Sequence, residues 1–163
     1  VDEMRRAQMI APITSLQPPY PLVRSEVERE VLPYCRSNRL GVIVYSPMAS
    51  GLLTGAMTRQ RAAALPGSDW RSRDAEFKEP ALSRNLALVE RLREVGERYG
   101  RPPGQVAIAW TLQNPAVTGA IVGARSAKQV EGTVGAAHLR LTEEDVAEIE
   151  GRNIYEPQLG TAA

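Results

Sequence analysis

The chain has 163 residues, of which 43% are apolar and 24% charged, and its net charge is +1, the balance of one soluble globular domain rather than two. So small a charge excludes a broad electrostatic footprint for nucleic acid or an acidic membrane surface. No run approaches the roughly 18 apolar residues of a membrane span. In chain order, the opening VDEMRRAQMI is charged and lacks the apolar core of a signal peptide. Val rather than Met at position 1 suggests processing, or a chain that begins part-way through a longer protein. Residues 2–9 read as the tail of a polar helix. Ile13 to Leu16 is a short strand candidate, ended by Gln17-Pro18-Pro19 because proline cannot donate to a ladder. Ser25 to Arg36 places Val27, Val31, Leu32 and Cys35 at helical spacing, with Pro33 in the first turn of the helix proper and Asn38 as a left-handed stop. Cys35 is the one cysteine, which excludes a disulfide framework and a cysteine zinc site within the chain. The cytoplasm is the expected compartment.

Val42-Ile43-Val44-Tyr45 is a continuous β-branched run, expected to be a strand buried on both faces. Ser46 to about Pro80 is a long irregular connection with one short helix near Thr58 to Leu65. Connections of that length inside a compact domain are usually functional. Leu82, Leu86, Val89, Leu92 and Val95 then step by three and four along a helix of about 16 residues closed by Gly100. Pro102-Pro103 opens another helix with Val106, Ala109 and Trp110 on its inner side, and Asn114-Pro115 stops it. Ala120-Ile121-Val122 is the third strand candidate. It leads through Gly123-Ala124-Arg125 into a helix with a Ser126…Gln129 capping box, and Thr142 and Asp145 cap a last helix carrying Val146 and Ile149. Three strands, each followed by a helix, predict an α/β fold with a parallel sheet, whose strand ends are where such folds build their sites.

Two of those strand ends carry signals for chemistry. The turn at Gly123-Ala124-Arg125-Ser126 opens a helix, where free N–H groups and a guanidinium suit a phosphate, and it also fits a plain capped helix with a surface arginine. The stretch Tyr45-Ser46-Pro47-Met48-Ala49-Ser50-Gly51 leaves a strand with small residues whose backbone N–H groups suit a pyrophosphate. Tyr45 offers a flat face to a ring, and Gln17 an amide that pairs with another amide. Of the 20 basic residues only Lys78 and Lys128 are lysines, so 18 are arginines, and His138 is the one histidine, read as a surface or packing residue.

Taken together, Leu16-Gln17-Pro18-Pro19-Tyr20, the run from Gly41 to Gly55, Asp69-Trp70-Arg71, Gln105 to Trp110 and Val122-Gly123-Ala124-Arg125 with Gln129-Val130 closely resemble the aldo-keto reductases, in order and in spacing, over nearly the whole chain. The likeness is greatest to bacterial members related to the potassium-channel β subunits. The resemblance implies a (β/α)8 TIM barrel that reduces aldehydes and ketones with NADPH, and assigns residues 1–163 to its C-terminal part, about strands six to eight. It implies that Gln17 holds the nicotinamide carboxamide and that Tyr45 packs on the nicotinamide. Ser46, Pro47, Met48, Ala49, Ser50 and Gly51 would wrap the pyrophosphate beneath Arg71. Gly123, Ala124, Arg125, Gln129 and Thr133 would receive the adenosine end, with Arg125 on the 2′-phosphate. Two positions depart from the family pattern: Ala56 stands where a Lys or Arg is common, and Gly132-Thr133 where Glu-Asn is common.

The family's catalytic Asp, Tyr, Lys and His belong to the first half of the barrel, so no catalytic or metal-binding residue is expected in this chain. The substrate of a complete enzyme would be a small carbonyl compound, with no nucleic acid and no membrane as partner. Three strands cannot close a barrel of eight. The open edges and inner face predict a chain that is marginally stable alone or that self-associates. A chain holding NADP(H) without chemistry, or a half-barrel pairing with a partner, is the alternative function.

Overall fold

A computed structural model describes residues 1–151, so residues 152–163 of the expected domain lie outside the description. Three parallel strands form one sheet in the order β1-β2-β3, with β1 at Ser15–Leu16, β2 at Gly41–Tyr45 and β3 at Gly119–Ile121. Helix α1 (Asp2–Gln8) precedes β1, and α2 (Val31–Ser37) connects β1 to β2. Between β2 and β3 come α3 (Arg59–Ala63), α4 (Ala81–Tyr99) and α5 (Pro103–Gln113), and after β3 come α6 (Ala127–Val134) and α7 (Glu143–Glu150). The alternation read from the sequence is therefore present: an open, partial α/β barrel.

The register is constant across the sheet. Leu16 pairs with Val42 and Pro19 bridges to Tyr45, while Tyr45 pairs with Ile121 on its other side. Pro19, Tyr45 and Ile121 thus form one row, and the chain leaves all three strands at the same edge. The prolines do not end the pairing as expected. Pro18 needs no N–H here, because its carbonyl accepts from the Tyr45 N–H at 3.1 Å and the Tyr20 N–H donates to the Tyr45 carbonyl at 3.2 Å.

The core lies on one side of this sheet only. Val42 and Val44 are fully buried against the helices with Leu32, Cys35, Leu92, Val95 and Val106, but Ile43 and Tyr45 are each 41% exposed and Ile121 44%. The expectation that β2 is buried on both faces is corrected: helices cover the outer face, and the face that would line a barrel is open. Helix α5 corrects its expectation in the other direction. Every residue from Pro103 to Thr111 is buried, not one inner stripe, because α4, the sheet and the turn at Gly135–His138 surround it.

The ends of the helices follow local chemistry. Gly100, at φ 61°, closes α4, with the Arg101 N–H on the Gly96 carbonyl at 2.9 Å and the Gly100 N–H on the Glu97 carbonyl at 3.3 Å, a Schellman ending. Thr142 and Asp145 form the expected capping box of α7. The helix expected over Ser25 to Arg36 is split into a 3-10 turn at Glu26–Glu28 and α2. Its left-handed stop falls on Arg39 (φ 55°) and not on Asn38, whose side-chain amide instead donates to the Tyr34 carbonyl. The third strand is Gly119–Ile121, one residue earlier than expected. His138 is exposed at the end of a 3-10 turn. Among the described residues no helix is long and apolar enough to cross a membrane.

Candidate functional site

The segments that the sequence singles out share the edge where the strands end. Gln17 follows β1 directly; by the constant register it stands beside Ile43 on the open face, and it is exposed. Tyr45 is in the terminal row of that face. From there Ser46 turns the chain sharply at φ 56°, and Ala49, Ser50 and Gly51 follow with φ of 46°, 54° and 92°. Three of these four left-handed residues carry a side chain, a conformation L-residues adopt only when the surroundings impose it. Leu52 and Leu53, both fully buried, and Pro47, also buried, anchor the turn from beneath. Met48 reaches toward Gly104 at the start of α5, where a Cβ would stand 3.2 Å from its sulfur.

Over this turn lies the segment Asp69 to Ser72. Asp69 caps it: its carboxylate accepts from the Arg71 backbone N–H at 3.0 Å and from the Arg71 guanidinium at Nε (3.0 Å) and Nη2 (2.6 Å). Arg71 Nη1 donates to the Ser50 carbonyl at 3.3 Å, and the guanidinium also stands 6.0 Å from the Phe77 ring centre. The segment is thereby tied to the 46–51 turn through one arginine. The hydrogen bonds from Arg71 hold the Asp69 carboxyl down at about 2, and the charge of Arg125 acts in the same direction. Arg125 therefore lies within electrostatic reach of the Asp69–Arg71 pair, although 54 residues separate Arg125 from Arg71 (125 − 71). Trp70 is half exposed beside them, edge-on to Phe77 at 6.4 Å.

The third segment is open. Gly123, Ala124 and Arg125 are exposed, and a Cβ on Gly123 would meet nothing within 4 Å. Among the described residues the Arg125 guanidinium makes no hydrogen bond; its backbone N–H donates to Gln129 Oε1 at 2.6 Å. This modifies the expected capping box. Ser126 accepts from the Gln129 N–H as foreseen, but the Gln129 side chain reaches back one residue further, to Arg125. Thr133 directs its hydroxyl to its own helix, donating to the Gln129 and Val130 carbonyls at 3.2 and 3.0 Å.

Sequence reasoning quoted Asp69 without seeing its part. The signal was present: an aspartate two residues before an arginine is a local cap that also orients the guanidinium. It likewise quoted Tyr20 without its role: the buried ring packs on Trp110 at 4.9 Å and the hydroxyl meets Glu28. Burial and the bond to Glu28 push that phenol far above the ordinary tyrosine range, so Tyr20 braces the chain after β1 and is unsuited to acid–base work. The hydroxyls of Tyr34 and Tyr99 are likewise committed, to Gln8 and Asp145. Neither lysine nor His138 makes a hydrogen bond or ion pair with a tyrosine among the described residues. No cluster of His, Cys, Asp and Glu among them is arranged to hold a metal ion. A surface groove of about 660 Å³ lies at Leu32, Arg36 and Asn114, away from the strand ends.

The profile of the aldo/keto reductase family matches residues 1–154. The chain is 33% identical to the aldo-keto reductase YhdN of Bacillus subtilis over 150 residues, covering 91% of this chain and 45% of that protein. It is 30% identical to the probable aldo-keto reductase 1 of Glycine max, covering 91% of this chain and 42% of that protein. The solved glycerol dehydrogenase AKR11B4 of Gluconobacter oxydans superposes with a TM-score of 0.85 at 30% identity, covering 92% of this chain and 45% of that one. The chain thus spans a little under half the length of these relatives.

Proposed function

The chain belongs to the aldo/keto reductase family, and from that premise we propose that it is an NADP(H)-holding half-barrel whose strands β1, β2 and β3 are strands six, seven and eight of a (β/α)8 barrel. Complementary strands meet its two open edges before any carbonyl chemistry takes place. Residues 1–163 act as one C-terminal unit in this reading, and kinship with the potassium-channel β subunits is its narrowest form.

The observation that carries the proposal is the common edge. One row, Pro19–Tyr45–Ile121, brings Gln17, the 46–51 turn and the 122–125 turn together, with Arg71 tied to Ser50. The donors fit a dinucleotide phosphate. Left-handed residues curl the 46–51 backbone; the Ala49 and Gly51 N–H groups donate within the turn, to the Ser46 and Met48 carbonyls, so an anion would draw on the turn's remaining main-chain N–H groups. Arg71 crosses its rim, 3.8 Å from where a Gly51 Cβ would stand. Arg125 offers a guanidinium that no described residue occupies, suited to a 2′-phosphate. Tyr45 presents its ring on the open face, and Gln17 lies on the same side for an amide. Gly123 and Ala124 leave room beside Arg125, and Gln129 sets the backbone of that turn.

When bound, NADPH supplies a hydride to the carbonyl carbon of an aldehyde or ketone. This chain's residues bind and orient; none is assigned proton transfer, because no tyrosine among the described residues is held by a lysine or histidine. In the complete barrel a small carbonyl substrate enters from the open face, and in the isolated chain that face favours self-association. The setting is cytoplasmic.

A thermal-shift titration of the 163-residue chain with NADPH and NADH tests the proposal. Ligand at about 100 times its Kd stabilises a folded site by about 2.7 kcal/mol. A saturable shift, larger for NADPH, supports the half-barrel. No response to either nucleotide overturns it.

A further inference from the structure

Helix α6 carries the turn with Arg125 at its start, yet it buries none of its own side chains. Val130 and Val134 are 51% and 55% exposed. An apolar face, the usual means of fixing a helix on a domain, is therefore absent here. What meets α6 from the body of the protein is Gln105, in the first turn of α5. Gln105 is buried, and its Nε2 donates to the Gly132 carbonyl of α6 at 2.9 Å. The chain after α6 closes on the same side chain: a Cβ on Gly135 would stand 2.6 Å from Gln105 Oε1 and 2.8 Å from Arg101 Nη1. A side chain there would have to push the Gln105 amide and the Arg101 guanidinium aside.

The amide is poorly explained as a stabilising element. Its Oε1 is buried without a hydrogen-bond partner. One ordinary hydrogen bond gained is offset by one desolvated acceptor left unmade. An unbranched apolar side chain of similar length would fill the space without that orphan. What it could not do is hold the Gly132 carbonyl at one position.

We propose that Gln105 is a positioning residue for the adenosine end of the nucleotide site: by tethering the α6 backbone at Gly132 it sets where Arg125 and Gln129 stand. The inference rests on the cofactor reading above. Gln105 touches no ligand and acts through α6.

The test compares two fragments of the cofactor on the full chain, 2′,5′-ADP for the adenosine end and reduced nicotinamide mononucleotide for the other. Gln105→Met removes the tether. Gly135→Ala crowds the amide from the opposite side and gives the same test should Gln105→Met fail to fold. Each variant should weaken 2′,5′-ADP by about five- to tenfold, the scale of one hydrogen bond, and leave the mononucleotide within about twofold. In the ligand-free protein, the amides of residues 127–134 should exchange faster in Gln105→Met. Unchanged 2′,5′-ADP binding in both variants overturns the inference and leaves the cofactor reading intact. Equal weakening of both fragments also overturns it, since that marks general loosening. A parent chain that binds neither NADPH nor 2′,5′-ADP overturns the cofactor reading and this inference together.

Discussion

Gly96→Ala is the sharpest test of how the helical layer is packed. Gly96 lies in the last turn of α4, where the chain reverses through Gly100 and Arg101 returns across it. A Cβ at Gly96 would overlap the Arg101 carbonyl oxygen well under 3.0 Å, and would stand 3.2 Å from Val106 Cγ2 and 3.4 Å from the Arg101 carbonyl carbon. The first obstacle is backbone, held by the Arg101 N–H bond to Gly96 itself, so no side-chain rotation relieves it. Overpacking of this kind costs about 1–3 kcal/mol, and loss of the returning hydrogen bond adds about 1 kcal/mol. Against this, alanine is favoured over glycine inside a helix by about 1 kcal/mol. The expected net is a destabilisation of about 2 kcal/mol, which in a chain of this size lowers Tm by about 4–8 °C. The assay is urea unfolding followed by circular dichroism, with Gly67→Ala as control, since a Cβ there meets nothing within 4 Å. A Gly96→Ala chain as stable as the parent would refute the proposed close approach of α4 and the Arg101 return.

Three further outcomes are expected. Asp145 is buried; desolvation raises its pKa, but bonds from Tyr99, Thr142 and Arg98 outweigh this and hold it below the ordinary value of 3.8. Its stabilisation is therefore present above about pH 4 and is lost as pH falls through the lowered folded-state value. Asp145→Asn should cost about 1–3 kcal/mol at pH 7 and flatten the acid limb of stability against pH, and an unaltered acid limb would contradict the assignment. Arg125→Ala should weaken NADPH about 10- to 100-fold, the scale of charge-assisted hydrogen bonds, with little effect on NADH, whereas Arg71→Ala should weaken both; equal losses for Arg125→Ala, read by tryptophan fluorescence, count against the 2′-phosphate role. Sedimentation velocity should find the chain larger than a monomer, with Ile121→Asp shifting it toward one, and a monodisperse monomeric parent would show that the open face is not sticky.

Much of the layout was legible because it depends on neighbours in sequence. The Thr142–Asp145 box, the Gly100 stop and the Pro102-Pro103 start are chemistry confined to a turn or two of chain, and each stands where the residues indicate. The existence and order of the three strands followed from β-branched runs alternating with amphipathic stretches. The motif segments could be picked out for the same reason, each being a compact run of Gly, Ser or Arg after a strand.

Tertiary structure decided what depends on which surfaces meet. Val-Ile-Val-Tyr contains no alternation, so nothing local says that Val42 and Val44 are covered while Ile43 and Tyr45 stay open; the helices lie on only one side of the sheet. The ladder passes the prolines because Pro18 offers a carbonyl, and that is visible only once Tyr45 lies opposite. Arg71 on Ser50, Arg125 within reach of Asp69, and Gln105 on Gly132 join residues 21, 56 and 27 positions apart. Their geometry comes from the parallel register and the packing of α5. The sequence by itself determined the order of the elements, the caps confined to a turn or two of chain, and the family; the three-dimensional packing decided where the other elements end, which face stays open and which side chains converge, because contacts between distant segments leave no local periodicity to read.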